Sequence, residues 1–174
     1  MTPFCFEHVF ATCSPAAVFA AYFDPIHQIE QDRAVAIVER TIVELDDRGD
    51  ELRRVCRVVP HRQLPAVMRA LATGPLCYVE TVTWRRATDQ IEIEIRPSLL
   101  RGRVEICGVY GVTRVGPNAI RRTYAGDVSV DVALLGARIE RGIVAEFARS
   151  LPIAAACTQR WLDHHGERSM SARA

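Results

Sequence analysis

Two acid–base side chains stand in apolar surroundings in this sequence, and they are the first candidates for chemistry. Glu140 lies in the stretch GARIERGIVAEF, where a helical projection places its carboxylate within a broad apolar face. Such a carboxylate either orients a ligand or transfers protons with a raised pKa. Alternatively, it favours the helix N-terminus and pairs with a nearby arginine. The sequence leaves both interpretations open.

His8 is the second candidate, because it shares a strand face with Phe4, Phe6 and Phe10 in the stretch PFCFEHVF. An imidazole that points into an apolar interior can act as an acid or base near neutral pH. The alternative is a core histidine whose ring is satisfied by a hydrogen bond. Glu140 and His8 are therefore the candidate catalytic residues, should this protein be an enzyme.

Two tyrosines are the other polar groups expected inside the protein. Tyr110 and Tyr124 share the parity of the face that carries Val128, Val130 and Val132, so we expect both to point inward. Each hydroxyl either orients a ligand in a cavity or bonds to the backbone while the ring packs in the core.

Arginines form a short cluster in the stretch ELRRVCRVV, where alternation sends Arg53 and Arg57 to the same side. We expect a solvated face that pairs across the sheet with Glu92 and Glu94. A site for an acidic head group or an RNA backbone is the weaker alternative.

Several classes of function are excluded by composition and by missing motifs. All 22 basic residues are arginine, so lysine chemistry such as a Schiff base is excluded, and a net charge of +1 gives no case for nucleic acid. No nucleophile elbow, phosphate-binding loop, dinucleotide fingerprint or zinc-protease motif occurs. His164 and His165 have no third ligand at a useful spacing. We therefore expect no metal and no cofactor.

The six cysteines contain no C-x-x-C pair and lie in apolar or strand-like runs, which predicts buried free thiols in a reducing compartment. The N-terminus has no secretory signal, and the longest uncharged window, 8–23, is shorter than the ~18 residues that a membrane helix needs. We expect a cytoplasmic protein without integral membrane association, either a monomer or a homodimer.

The elements that position these residues follow from periodicity and capping. After the first strand, Ser14 with Pro15 and Asp24 with Pro25 predict two consecutive short helices. A further short helix is predicted from Pro65 to Gly74. The remaining stretches predict strands joined by short turns, which favour an antiparallel meander: AVAIVERTIVELDD, ELRRVCRVV, LCYVETVTWRR, QIEIEIRP, VEICGVYGVTRV and AIRRTYAGDVSVDV.

The last element is a long amphipathic helix from about Gly136 to His165. Its predicted apolar face consists of Ile139, Ile143, Phe147, Leu151, Ala154, Thr158, Trp161 and Leu162. Pro152 is expected to kink this helix, which would bend it around a cavity or give its end a hinge for ligand entry.

This order of elements predicts an α+β fold in which a curved antiparallel sheet of about seven strands wraps around the C-terminal helix. Long sheets curl because strands twist, and the last helix is the element long enough to cover the concave face. Residues 1–166 are expected to form this domain, and residues 167–174 to be a disordered tail.

The chain resembles the START-like superfamily (SRPBCC, or helix-grip), which includes polyketide cyclases, the birch-pollen-allergen fold and lipid-transfer domains. The resemblance covers residues 3–165 and is carried by the element order, by SPAAVFAAYFDP and by SVDVALLGARIERGIVAEF. The spacing of Gly136 and Glu140 resembles an uncharacterised branch common in actinobacteria. The resemblance implies that an apolar or amphipathic small molecule binds between sheet and helix.

We therefore expect a protein that binds a hydrophobic small molecule, such as a lipid or polyketide-like compound, without catalysing a reaction. Its expected ligand-binding residues are Tyr110, Tyr124, Val128, Ile139, Glu140, Ile143, Phe147 and Leu151. One alternative is an enzyme of the cyclase or dehydratase type that uses Glu140 or His8. Another is a protein-interaction module resembling a co-chaperone.

Overall fold

Seven antiparallel strands form one sheet in the computed structural model, which describes residues 1–61 and 76–171. The spatial order is β1-β7-β6-β5-β4-β3-β2, so the first and last strands of the chain are neighbours. The strands are β1 (Thr2–Phe10), β2 (Ile37–Asp47), β3 (Glu51–Pro60), β4 (Tyr78–Arg85), β5 (Gln90–Pro97), β6 (Val104–Gly116) and β7 (Ala119–Val130). The predicted α+β helix-grip fold is confirmed.

Three helices accompany the sheet in the described residues: α1 (Pro15–Phe23), α2 (Pro25–Ala34) and α3 (Gly136–Ser171). Both predicted N-caps are present. The Ser14 hydroxyl accepts from the amide of Ala17 at 3.1 Å, and the Asp24 carboxylate accepts from the amide of His27 at 2.7 Å. Within the stretch SLLRGR, which reads as a turn in the sequence, a short 3-10 helix spans Leu99–Gly102. The predicted helix between Pro65 and Gly74 lies outside the described residues, as do residues 172–174 of the predicted tail.

Alternation along the strands places one face of the sheet against α3. Ile91 and Ile93 are buried while Glu92 between them is exposed, as predicted. On β1, Phe4 and Phe10 are buried and their odd-numbered neighbours are exposed. Burial along the helix also follows the predicted apolar face, from Ile139 at its start to Leu162 near its end. Pro152 lies on the exposed side of α3, and the helix continues through it.

Two facing glycines let the central strands approach each other closely. Gly108 on β6 and Gly126 on β7 are register partners. A Cβ atom at Gly126 would lie 2.0 Å from the carbonyl oxygen of Cys107, and one at Gly108 would lie 2.6 Å from the ring of Tyr124. The missing side chain of Gly108 therefore makes room for the Tyr124 ring, and that of Gly126 lets the backbone of β6 approach β7.

The predicted ion pairs of the arginine cluster on β3 are wrong. Arg53 and Arg57 do lie on one outer face, but they pair with Glu44 and Glu39 on the neighbouring strand β2. Glu92 and Glu94 lie farther across the sheet and pair with Arg85 and Arg96.

The cysteines are free, but only Cys56 and Cys157 are buried. Cys5, Cys13 and Cys107 are exposed, since the two that lie on strands occupy outward-facing positions and Cys13 lies in the turn before α1. An apolar neighbourhood in sequence was therefore a poor guide to burial, because alternate strand positions face opposite sides.

Candidate functional site

Aromatic side chains pack in the hydrophobic core between the concave face of the sheet and the helices. Nine of the twelve aromatic residues of the chain belong to this core, and we call them the aromatic wall. They are Phe4, Phe6, Phe19, Tyr22, Phe23, Trp84, Tyr110, Tyr124 and Phe147. Ring centroids of neighbouring members lie 4.9–6.1 Å apart, which is the spacing of favourable aromatic pairs.

Tyr124 lies at the centre of the aromatic wall, with ring centroids of Phe4 at 4.9 Å and Tyr110 at 5.9 Å. Its side chain points inward as predicted, and the residue is only 5% exposed. Its hydroxyl is buried and has no hydrogen-bond partner in the described part of the chain. Burial raises the pKa of this hydroxyl, and the negative charge of Glu80 raises it further. The group is therefore a neutral, unsatisfied polar atom inside an apolar site.

Tyr110 also points inward, but it has a polar neighbour. The guanidinium of Arg122 lies 5.0 Å from the centre of its ring. Burial raises the pKa of Tyr110, against the opposing charge of Arg122 and a hydrogen bond to that residue. The two inward tyrosines thus differ, since only the hydroxyl of Tyr124 is left without a partner.

His8 is tied to the same arginine. The Nη2 atom of Arg122 lies 3.1 Å from Nδ1 of His8, and Arg122 is almost completely buried. Burial lowers the pKa of His8, and the charge of Arg122 lowers it further, so the ring is held neutral. His8 therefore accepts a hydrogen bond from Arg122, which agrees with its interpretation as a satisfied histidine.

Glu140 fastens the start of α3 to the first and last strands. Its carboxylate accepts hydrogen bonds from the Thr2 hydroxyl at 2.7 Å and the Val130 amide at 3.0 Å, and it lies 3.0 Å from the α-amino group of Met1. The expected arginine partner is replaced by these three donors. The Thr2 hydrogen bond lowers the pKa of Glu140 against the effect of burial, with help from Met1 and Val130.

The two candidate catalytic residues are not brought together. Glu140 contacts Thr2, whereas His8 lies six residues farther along β1, about 20 Å away at the usual rise of a strand. Each has its own partners, and no shared reaction centre is formed by the pair.

We expect Glu140→Gln to lower the free energy of unfolding by about 2 kcal/mol at neutral pH, because hydrogen bonds to a buried charged group are lost or weakened. The pKa of Glu140 is lowered in the folded protein, so its contribution is present above its unfolded pKa and is lost as the pH falls through the folded value. Urea unfolding at pH 7 and at pH 3 measures both effects.

Glu92→Gln is the control for this substitution, because that carboxylate is about half exposed in its pair with Arg85. Equal losses in the two variants, or a difference that persists unchanged at pH 3, would contradict a structural role for the Glu140 carboxylate.

A second polar group, which the sequence did not reveal, lies on the concave face beside α2. Arg40 on β2 binds the carboxylate of Asp32 at 2.9 Å and also that of Glu80 on β4. All three side chains are less than 15% exposed. Burial lowers the pKa of Arg40, but the charge of Glu80 and the hydrogen bond to Asp32 outweigh it and raise the pKa overall.

Arg54 lies next to this triad and is itself 6% exposed. The central carbon of its guanidinium lies 5.7 Å from the centre of the Tyr22 ring and 5.3 Å from that of Phe23, which is within cation–π distance. The sequence pattern of β3 could have revealed that Arg54 is buried. Side chains alternate along a strand, so if Arg53 and Arg57 face outward, Arg54 faces inward with Cys56 and Val58. We call Asp32, Arg40, Arg54 and Glu80 the polar pole.

The apolar residues predicted to bind a ligand all lie in the main core around the aromatic wall. Val128 and Ile139 are completely enclosed by protein atoms. Ile143, Phe147 and Leu151 are partly buried and pack on the core from α3. A role for these five residues in ligand binding remains a prediction.

The sequence model of the DUF2505 family, described as a protein of unknown function, matches residues 6–162. The chain belongs to the DUF2505 family. The matched segment of this DUF2505 protein includes Arg54, Tyr124 and Phe147. No curated protein sequence matches it.

Solved structures share the fold of this DUF2505 protein at low sequence identity. Norcoclaurine synthase from Thalictrum flavum, in complex with dopamine and hydroxybenzaldehyde, superposes with a TM-score of 0.65 at 12% identity, over 94% of this chain and 87% of that one. The Zhui aromatase/cyclase from Streptomyces sp. R1128 gives 0.58 at 12% identity, over 97% and 96%. A START superfamily protein from Mycobacterium smegmatis gives 0.61 at 11% identity, over 93% and 97%. These comparisons confirm the predicted START-like fold.

Within the described part of this DUF2505 protein, no helix combines the length and apolar character that crossing a membrane requires.

Proposed function

We propose that this DUF2505 protein binds a hydrophobic small molecule that carries a hydrogen-bonding oxygen, in the space between the sheet and α3. The observation that carries the proposal is the buried Tyr124 hydroxyl, which lies among aromatic rings without a partner among the described residues. Affinity would come from apolar burial, at roughly 25 cal/mol per Å² of surface removed from water, and orientation from the few polar atoms of the site.

The energetics of an unsatisfied hydroxyl support a binding role. A buried polar group without a partner destabilises a folded protein by about 1–3 kcal/mol. A bound oxygen atom would remove this penalty when it reaches Tyr124. The indole nitrogen of Trp84, on the same wall, is likewise buried and without a partner in the described residues.

Two structural neighbours are consistent with this kind of ligand. One was solved in complex with dopamine and hydroxybenzaldehyde, and another is an aromatase/cyclase. The partners of His8 and Glu140 support binding without reaction, because each group already makes the hydrogen bonds that a proton-transfer role would need free.

Tyr124→Phe should stabilise the ligand-free protein by about 1 kcal/mol, since it removes an unsatisfied buried hydroxyl and keeps the ring. Tyr110→Phe is the matched control, and we expect it to destabilise the protein by a similar amount, because the Tyr110 hydroxyl interacts with Arg122. Denaturant unfolding of the two variants, after removal of any co-purified compound, measures these opposite signs. A loss of stability in Tyr124→Phe would show that its hydroxyl has a partner.

The function is tested by native mass spectrometry of freshly purified protein, followed by denaturing extraction, and by titration with the neutral fluorescent probe N-phenyl-1-naphthylamine. We expect a stoichiometric small molecule, or saturable probe uptake by the emptied protein. A protein that emerges empty and takes up no probe would overturn the proposal.

A further inference from the structure

Arg54 is a buried cation that contacts two members of the aromatic wall, Tyr22 and Phe23. It projects from the concave side of β3, and its register partners on the two neighbouring strands are Leu45 and Val82. Neither partner carries a charge, and its guanidinium lies within cation–π distance of Tyr22 and Phe23 of the aromatic wall. The guanidinium of Arg54 thus lies where the polar pole meets the aromatic wall.

The acids near Arg54 are engaged elsewhere. Asp32 and Glu80 both bind Arg40, which lies between them. Nη2 of Arg54 donates a long hydrogen bond of 3.4 Å to the side-chain oxygen of Gln28, and its Nε atom has no hydrogen-bond partner in residues 1–61 and 76–171. A buried guanidinium is normally paired with a carboxylate, and among the described residues none is within ion-pair distance of Arg54.

The free hydrogen-bonding capacity of Arg54 suits a carboxylate from outside the chain. The guanidinium lies within cation–π distance of two rings, and the edge formed by Nε and Nη2 has hydrogen-bonding capacity left, because Nε has no partner in the described residues. That edge matches the two oxygens of a carboxylate, which arginine binds through two parallel N–H···O bonds.

The wall that leads away from Arg54 is made of rings. Tyr22 lies 5.3 Å from Tyr110, and Tyr110 lies 5.9 Å from Tyr124, measured between ring centres. Aromatic side chains make favourable pairs with another aromatic ring, whereas a flexible acyl chain gains only area burial.

We propose that the molecule bound by this protein is an aromatic acid, with its carboxylate on Arg54 and its ring system against Tyr22 and Tyr110. The proposal rests on the proposed function and adds the chemical class of the ligand. An oxygen at the far end of such a molecule would reach the hydroxyl of Tyr124.

The experiment compares two probes of the same ring system, 2-naphthoate and 2-naphthylmethanol, as competitors of bound N-phenyl-1-naphthylamine. With the unaltered chain, we expect the carboxylate to displace the fluorescent probe at a concentration at least tenfold lower than the alcohol. Equal potency of the two competitors would overturn the proposal. A fluorescent probe that does not bind at all would instead overturn the proposed function.

The substitution Arg54→Met tests whether Arg54 causes the preference for the carboxylate over the alcohol. Arg53→Met is the matched control, because the Arg53 side chain lies on the outer face of the same strand. We expect Arg54→Met to abolish the tenfold preference for 2-naphthoate while uptake of the neutral probe stays within about twofold. Arg53→Met should change neither quantity. A preference that survives Arg54→Met but is lost in Arg122→Met would place the carboxylate on the other buried guanidinium and overturn the assignment.

Neutral-probe uptake by each variant also reports whether the site has kept its fold. If Arg54→Met fails to fold, Arg54→Lys keeps the charge but loses the planar fork, and the preference should then fall without the fluorescent probe being lost. An unchanged preference in Arg54→Lys would contradict binding through the guanidinium edge.

Discussion

Arg40→Met should lower the free energy of unfolding by about 3–5 kcal/mol at neutral pH, the range found when one partner of a buried ion pair is removed. Arg40 binds both Asp32 and Glu80, and the substitution leaves two largely buried carboxylates without their common partner. Urea unfolding followed by circular dichroism gives the loss directly.

The loss in Arg40→Met should shrink as the pH falls toward 4, because protonation neutralises the two carboxylates that have lost their cation. The direction of this pH dependence follows from the two buried carboxylates that remain after Arg40 is removed. They bind protons more readily in the folded variant than in its unfolded chain, so acid favours the folded state. A loss that grows with acidity would contradict this assignment.

Arg85→Met is a closely matched control. Arg85 also bridges two carboxylates, those of Glu51 and Glu92, but it lies on the outer face and is 50% exposed. Exposed pairs contribute at most about 1 kcal/mol. Equal losses of stability in the two variants would show that burial does not strengthen the ion pairs of Arg40.

Gly126→Ala should destabilise the protein by about 3 kcal/mol or more, the upper end of what overpacking causes. The new methyl group would lie 2.0 Å from the carbonyl oxygen of Cys107 and close to the Cα atom of Gly108. These contacts are with backbone atoms, which cannot turn away as a flexible side chain can. We expect β6 and β7 to move apart and the Tyr124 ring to be displaced from its position in the core.

Gly111→Ala on the same strand pair tests this steric explanation. A Cβ atom at Gly111 meets no heavy atom within 4 Å, so that variant should stay within about 1 kcal/mol of the parent. Thermal unfolding and uptake of the neutral probe separate the two variants. Tolerance of alanine at position 126 would mean that the strands are not held at this distance.

The polar pole and the aromatic wall together explain why the inside of this protein is expected to select among hydrophobic molecules. Apolar burial alone gives affinity but little discrimination. Arg54 in the polar pole and Tyr124 in the aromatic wall add two polar groups, and each has hydrogen-bonding capacity that the described residues do not use. Specificity would therefore depend on where a ligand carries its oxygen atoms.

The sequence by itself determined the elements and their order. Ser14 and Asp24 predicted where α1 and α2 begin. This prediction was possible from sequence because an N-cap side chain bonds to an amide only three residues away. Alternation of period two placed Ile91 and Ile93 inside, and the order of strands and helices then required α3 to cover the concave face.

Only the tertiary structure decided which partner each charged side chain found. Glu140 bonds to Thr2 across 138 residues of sequence, and Arg40 meets Glu80 across 40. Such contacts depend on sheet register and helix placement, which no local pattern specifies. Parity could send Arg54 inward, but the sequence could not show that Arg40 holds both nearby acids. That distribution of charge leaves Arg54 without a carboxylate of its own among the described residues, and it was decided by three-dimensional packing.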